Sequence, residues 1–460
     1  MSFLGIELND HAITGIRDDQ LVFTEKGCAL NSNSHVVFGA EALKAAQIQP
    51  SAFYDRYWRE LAEQPLARVT PELKTSADLA YRQLHGLWGS FGAGITQVAF
   101  AVPGYWSTEQ LGLLLGIAQE AGMPLTGLVS LPVAATRREY PDYEVIHIET
   151  DLHATSLTRM SQEGAAAIAE EPVVLDMGTV QLRRTIAEYF ARRFLECSRF
   201  DPMQDAGSEQ TIYDQLDGWV GILVRNGEAE LSTEFKGNQF RALTSSAVLY
   251  EWLQRRCQPL IQSLRARTSV DRPTALQLSS SLATYPGVAQ MLADLPGCDV
   301  FVLEPGAAAR GLAQRQESLG GKLGSVTLTE ALPWDQPSAD VSLERAMAGS
   351  AGLVPSHLVL DGRAYRLTDR PLRIGSEANT GDYSLMLSSR HTGVSRHHCS
   401  IEFSAGRVVL IDHSRFGTRL NGYRIQGSAV LQPGDTISLG DPVCVLKLVA
   451  ETGPDEPGTS

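Results

Sequence analysis

No stretch of this chain approaches the ~20 consecutive apolar residues that a membrane helix needs, so no membrane span is predicted. The opening Met1-Ser-Phe-Leu-Gly-Ile-Glu7 lacks the basic and apolar regions of a signal peptide. Cysteine is sparse. The six residues at 28, 197, 257, 298, 399 and 444 are scattered, with no Cys-x-x-Cys pair. That argues against a disulfide framework or a zinc site and fits a reducing cytoplasm. There is no Lys/Arg block and no aromatic-basic stripe, so a nucleic-acid partner is not expected.

What is present suits a soluble globular chain. The 460 residues are 43% hydrophobic and 20% charged, with room for about two to four domains. The net charge of −14 is unevenly spread. Residues 357–450 hold 11 Lys+Arg against 8 Asp+Glu, whereas residues 1–356 hold 28 against 42. A basic module on an acidic body suits a phosphorylated or acidic partner.

Hydrophobic periodicity organises the chain. Residues 2–30 alternate around a turn at Asn9-Asp10-His11, which predicts a three-stranded antiparallel meander. Gln97–Val102 reads as a buried strand stopped by Pro103-Gly104. Ser107-Thr-Glu-Gln110 is a capping box for a helix over Thr108–Ala121, with Leu111, Leu114, Leu115 and Ala118 as its apolar face. Glu144–Ile148 and Ala154–Met160 predict a second strand pair, and Leu182–Phe194 an amphipathic helix. Trp219–Val224 and Ala229–Phe235 flank Asn226-Gly227, a hairpin signal. Ser245–Arg267 predicts one long helix, and Ala275–Leu278 and Val300–Leu303 predict further strands. Residues 321–356 are rich in Pro, Gly and Ser and read as a flexible linker, and residues 451–460 as a disordered acidic tail. This leaves a body over 1–320 and a module over 357–450.

Within that module the sequence runs Arg373-Ile-Gly-Ser376, Gly393-Val-Ser-Arg-His-His-Cys-Ser-Ile401, Asp412-His-Ser-Arg-Phe-Gly-Thr-Arg-Leu-Asn-Gly422 and Leu431-Gln-Pro-Gly-Asp-Thr-Ile-Ser-Leu-Gly440. Short loops rich in Ser, Arg, His and Asn lie between predicted strands, an inventory of donors and cations suited to an anion. These four pieces resemble the forkhead-associated (FHA) domain. The resemblance implies an all-β sandwich whose loops at one end read phosphothreonine in a partner protein. It implies that Ser395 meets the phosphate, with Arg396 donating beside it. Leu420 and Asn421 match the loop that binds peptide backbone. Gly375, His398, Gly417 and Gly422 match the loop scaffold. Two positions depart from the family: Ser376 stands where it has arginine, and Phe416 where it has asparagine. Arg390 or Arg396 could supply the missing charge. A domain that keeps the fold and binds without phosphate is the other reading.

Residues 1–315 resemble the actin and heat-shock-chaperone ATPase superfamily. The resemblance rests on Val98-Ala-Phe-Ala-Val-Pro-Gly-Tyr-Trp106, Ala118-Gln-Glu-Ala-Gly122 and Leu131-Pro-Val-Ala-Ala135. It implies an α/β two-lobed body around a nucleotide. Phosphate loops need glycines so that backbone N–H groups can approach the oxygens. Here the first loop reads Gly5-Ile-Glu-Leu-Asn-Asp-His11 and the second Ile148-Glu-Thr-Asp-Leu-His-Ala-Thr155, which has no glycine. Against the family pattern, Glu7 replaces an aspartate, Asn9 a glycine, Leu131 a glutamate, and Ser279-Ser280 a glycine pair. Glu149 and Asp151 are the carboxylates left for Mg²⁺ if a nucleotide still binds, and otherwise are turn residues. The expectation is a degenerate, non-catalytic ATPase fold with no cofactor.

Other groupings carry less. His391, His397, His398 and His413 lack metal-ligand spacing and suit loop bracing. Ser279-Ser-Ser281 has no nucleophile elbow around it. Arg183-Arg184 and Arg192-Arg193 suit a solvated helix face. The whole predicts a cytoplasmic adaptor that recruits a phosphothreonine-bearing protein. The alternative is a divergent ATPase, chaperone-like or filament-forming, regulated by its FHA domain and using ATP and Mg²⁺. The sequence leaves the oligomeric state undetermined.

Overall fold

The computed structural model describes residues 2–32, 35–66, 69–70, 73–268, 271–319, 326, 328–339, 355–360, 363–368, 370–377, 383–387, 392–404, 407–415, 417–420, 423–425, 427–431, 435–440 and 443–449. The chain divides into two compact units, Met1–Ala339 and Asp340–Ser460.

The first unit is mixed α/β, built on two sheets with one strand layout. In the first sheet, Phe3–Glu7, Ile13–Arg17 and Gln20–Glu25 form the expected meander, with Gly5 opposite Ile16. On its other side Phe3–Glu7 pairs in parallel with Gln97–Val102, and that strand pairs in parallel with Leu125–Ser130. In the second sheet, Glu144–Thr150 and Thr155–Ser161 form the antiparallel pair. Thr274–Leu278 and then Cys298–Val302 add in parallel beyond Glu144–Thr150. Each sheet therefore sets a hairpin beside a parallel pair, and each carries its own core.

Helices cover these sheets for local reasons visible in the sequence. The Ser107 hydroxyl accepts the Gln110 N–H at 3.3 Å and the Gln110 side chain accepts the Ser107 N–H at 3.1 Å. This capping box starts the helix Thr108–Glu120, which buries Leu114, Ile117 and Ala118. The helix Thr179–Ser198 buries Leu182, Ile186, Tyr189, Phe190 and Phe194, one face at a 3.6-residue period.

Three expectations are corrected. Asn226-Gly227 does not turn a hairpin. It ends the helix Ala206–Asn226, with Gly227 at φ 78° and its N–H on the Leu223 carbonyl. The left-handed backbone that suits a tight hairpin also suits a helix end. Packing chose the helix, because Ile212, Leu216, Trp219, Val220 and Leu223 are all buried along one face. The hairpin follows, Glu228–Phe235 against Asn238–Ser245, and turns at Lys236-Gly237. The long helix over Ser245–Arg267 is two, Ser246–Arg256 and Gln258–Arg265, broken where Pro259 enters the first turn of the second.

The third correction concerns the boundary. Leu328–Thr329 pairs with Leu125–Ser130 of the first sheet, and Ala331–Leu332 with Ala166–Ile168 of the second. Two short strands of the expected linker thus tie the two sheets together. Asp335, beyond them, reaches Arg137 at 2.7 Å and Arg315 at 3.6 Å, with all three side chains nearly buried. Burial brings the Arg315 guanidinium down to about 10. The rest of that stretch, residues 340–354, and the tail 450–460 lie outside the described residues.

The second unit is a β-sandwich. One sheet runs Arg363–Arg366, His357–Leu360, Cys444–Val449, Thr436–Leu439, Arg419–Leu420, Tyr423–Arg424. The other runs Ser384–Met386, Leu372–Gly375, Cys399–Ser404, Arg407–Asp412, Ser428–Leu431. Alternate residues face inward: Leu358, Leu372, Ile374, Ile401, Leu410, Ile437, Leu446 and Leu448 are buried in one core. This is the all-β module expected over 357–450. Among the described residues no helix is long and apolar enough to cross a membrane.

Asp335→Ala leaves Arg137 and Arg315 short of a buried partner. It is expected to lower the unfolding free energy of the first unit by about 3 kcal/mol, read from chemical denaturation. A loss no larger than that of an exposed-carboxylate control would show that the ion pairs do not hold the strap.

Candidate functional site

In the sandwich, two loops are joined through their backbones. The His398 N–H donates to the Ile374 carbonyl at 2.8 Å, and the Ser376 N–H to the Ser395 carbonyl at 3.1 Å. Gly375 lies so close to the second loop that a Cβ there would sit 1.9 Å from the Arg396 carbonyl oxygen. No other residue fits. His398 is fully buried and accepts the Ser395 N–H on Nδ1 at 3.1 Å. Burial keeps its pKa below the usual imidazole value, and the neutral ring is the form that can accept.

A third loop closes on these two. Asp412 Oδ1 accepts the Ser414 N–H at 3.0 Å and the Thr418 hydroxyl at 2.8 Å. Bonds from Ser414 and Thr418 hold its carboxyl below the usual range against the opposing pull of desolvation, which is the largest single influence. Gly417, at φ 89°, donates its N–H to the Ser414 hydroxyl at 2.7 Å. The Arg415 N–H then reaches the Ser395 hydroxyl at 3.4 Å.

The structure thus brings Ser376, Ser395, Arg396, Gly375, His398 and Gly417 together. Arg396 is exposed and faces Glu377 at 3.3 Å. Leu420 pairs with Ile437 and packs on the sandwich core. Asn421, Gly422, Phe416, Arg390 and His391 lie outside the described residues. The His397 and His413 rings lie 4.3 Å apart. Sequence reasoning missed Asp412 and Arg415. The Asp412-x-Ser414 spacing, an Asx-turn signal, would have found the first.

The first unit holds the other residue set. Glu7 accepts the Ala308 and Ala309 N–H groups at 2.9 and 3.4 Å, at the start of the helix Ala307–Gln314. Burial, reinforced by Glu149, pushes its carboxyl up to about 8. Asn9 donates to Glu149 at 2.5 Å and to the Thr150 carbonyl at 3.1 Å. Asp10 accepts the Leu152 N–H at 2.7 Å, and desolvation, with Asp151 nearby, raises its pKa well above the usual range. Asp151 accepts the His153 and Ala154 N–H groups and the Tyr105 hydroxyl. Ser279 bonds Ser281, which donates to the same Thr150 carbonyl as Asn9. Ser280 opens the short helix Ser280–Ala283.

Glu7, Asn9, Glu149, Asp151 and Ser279 therefore lie together, where the turn after Phe3–Glu7 faces the ends of Glu144–Thr150 and Thr274–Leu278. The cavity between Asn9, Gly104, Tyr105, Leu131, Glu149 and Asp151 measures about 10 Å³, about one water molecule. Tyr105, and His153 with the Asp55 carboxyl 3.1 Å from its Nε2, were not anticipated. Among the described residues no group of three or more His, Cys, Asp or Glu is placed to hold a metal ion.

A family model of the FHA domain matches residues 372–440. The C-terminal unit thus contains an FHA domain, a module of phosphothreonine-dependent protein–protein interaction. No curated protein matches the chain.

Two variants check this geometry. Gly375→Ala must push the Arg396 backbone aside and is expected to unfold or markedly destabilise the sandwich, visible as loss of its melting transition. An unchanged transition would mean that the loop yields freely. Glu7→Gln keeps an oxygen for Ala308 and removes a carboxyl whose folded-state pKa is raised. That carboxyl supports folding fully below about 4.5 and loses its contribution as pH rises towards 8. The variant is therefore expected to gain on the order of 1–3 kcal/mol over wild type at pH 8 and nothing near pH 4.5. Equal stabilities at both pH values would show that Glu7 is not held protonated.

Proposed function

We propose that this chain is a non-catalytic adaptor. Its FHA domain binds a phosphothreonine-bearing protein, and its first unit, a degenerate actin-like body, is a docking platform. The actin-like reading is supported by two sheets of one strand layout, each a hairpin beside a parallel pair. The adaptor reading is carried by one contrast. Ser395 is braced at a loop tip, while the carboxylates at the nucleotide position bond the protein's own N–H groups around about 10 Å³ of space. In this reading there is no cofactor and no nucleic-acid partner. The six free thiols suit a reducing cytoplasm.

A second reading, a divergent ATPase with ATP and Mg²⁺, is favoured by one observation. A cavity of about 490 Å³ in the first unit is lined by His11, Lys26, Asp55, Leu152, Arg183 and Tyr213, and is large enough for a nucleotide-sized ligand.

The deciding experiment is capture of the full chain on arrayed phosphothreonine peptides and their dephosphorylated counterparts, beside calorimetric titration with ATP and Mg²⁺. Phosphate-dependent capture that Ser395→Ala abolishes, with no heat at millimolar ATP, is the expected result. Equal capture of both peptide sets would end the phosphothreonine reading. Saturable ATP binding would replace the adaptor with the ATPase.

A further inference from the structure

We propose that Arg415 is the cation that holds the phosphate in this FHA domain, in place of the arginine missing at position 376. This rests on the phosphothreonine reading above and identifies which charge serves it. A phosphothreonine carries close to two negative charges at neutral pH, and a site for it needs a cation with at least one free N–H edge. Position 376 supplies only a serine hydroxyl. Arg396 follows Ser395 directly, but Glu377 stands 3.3 Å from its Nε, so part of its charge is already answered. Arg373 lies between the buried Leu372 and Ile374 and therefore on the outer face of its sheet.

Arg415 has what these lack. Its main-chain N–H reaches the Ser395 hydroxyl oxygen at 3.4 Å, which fixes its backbone beside the residue that meets the phosphate. Its side chain is exposed, and among the described residues it enters no ion pair. The loop beneath it is tied by Asp412 to Ser414 and Thr418 and by Ser414 to Gly417.

The same hydrogen bond bears on how Ser395 acts. A hydroxyl has one proton and two lone pairs. The Arg415 N–H takes a lone pair, so the proton remains to be donated to a phosphate oxygen. A phosphate seated on that hydroxyl lies within reach of the Arg415 side chain, whose planar fork can take two of its oxygens. Residue 415 thus does two things: its backbone orients Ser395 and its side chain neutralises the ligand. Only the second depends on which amino acid stands there.

That separation makes the test clean, because replacing the side chain leaves the N–H in place. Full-length wild type, Arg415→Gln, Arg396→Gln and the double variant Arg415→Gln/Ser376→Arg are titrated against one fluorescein-labelled mixture. The mixture holds peptides with phosphothreonine between degenerate flanks, and binding is read by anisotropy at two salt concentrations. Arg415→Gln is expected to melt like wild type and bind about 10-fold or more weaker, with a shallower salt dependence. Arg396→Gln is expected to lose less than about 3-fold. Ser376→Arg is expected to restore binding in the Arg415→Gln background.

If wild type binds and Arg415→Gln binds equally well, the assignment is wrong while the phosphothreonine reading stands. If Arg396→Gln carries the loss, the same holds and Arg396 is the cation. If wild type does not distinguish the mixture from its dephosphorylated form, both fail.

Discussion

Buried loop N–H groups have to be hydrogen-bonded, and in this protein side-chain acceptors do much of that work. In the first unit Glu7 accepts from the start of the helix Ala307–Gln314, and Asp10 and Asp151 accept from the turn after Glu144–Thr150. In the second, His398 and Asp412 accept from the loops at one end of the sandwich. An unmade bond of this kind costs about 1–3 kcal/mol. The satisfied set therefore decides the loop shapes in both units.

The same device has opposite consequences. A loop that receives phosphate offers its N–H groups outward. In the first unit the N–H groups of Leu152, His153 and Ala154 are taken by the carboxyl groups of Asp10 and Asp151. Burial, with Glu149 beside Glu7 and Asp151 beside Asp10, raises both above the usual carboxylate range. In the sandwich the acceptors lie beneath the loops, and the Ser395 hydroxyl proton and the exposed Arg415 and Arg396 side chains are left at the tip.

Much of the architecture was legible. The alternating patterns of residues 2–30 and 144–160 became a meander and an antiparallel pair, and Ser107-x-x-Gln110 became a working capping box, because period and capping are local properties. Asn226-Gly227 was misread because hairpin turns and helix ends share one backbone conformation, and only the burial of Leu216, Trp219 and Leu223 distinguishes them. The strands at 328–332 were hidden because two-residue pairings carry no periodicity. Their signal is the far partner, Leu128 for one and Ala166 for the other.

By itself the sequence determined the FHA domain. Its glycines, serines and histidines stand at fixed spacings, since each is required by a close backbone approach or a short loop, as Gly375 is by the Arg396 carbonyl. It also shows that residues 148–155 hold no glycine and that the turn after Gly5 carries Glu7, Asn9 and Asp10. Tertiary structure alone decided what those residues meet. Charge and hydrogen bonding act across space rather than along the chain. Glu149 therefore meets Asn9 across 140 positions, Asp335 reaches back to Arg137, and Glu377 faces Arg396.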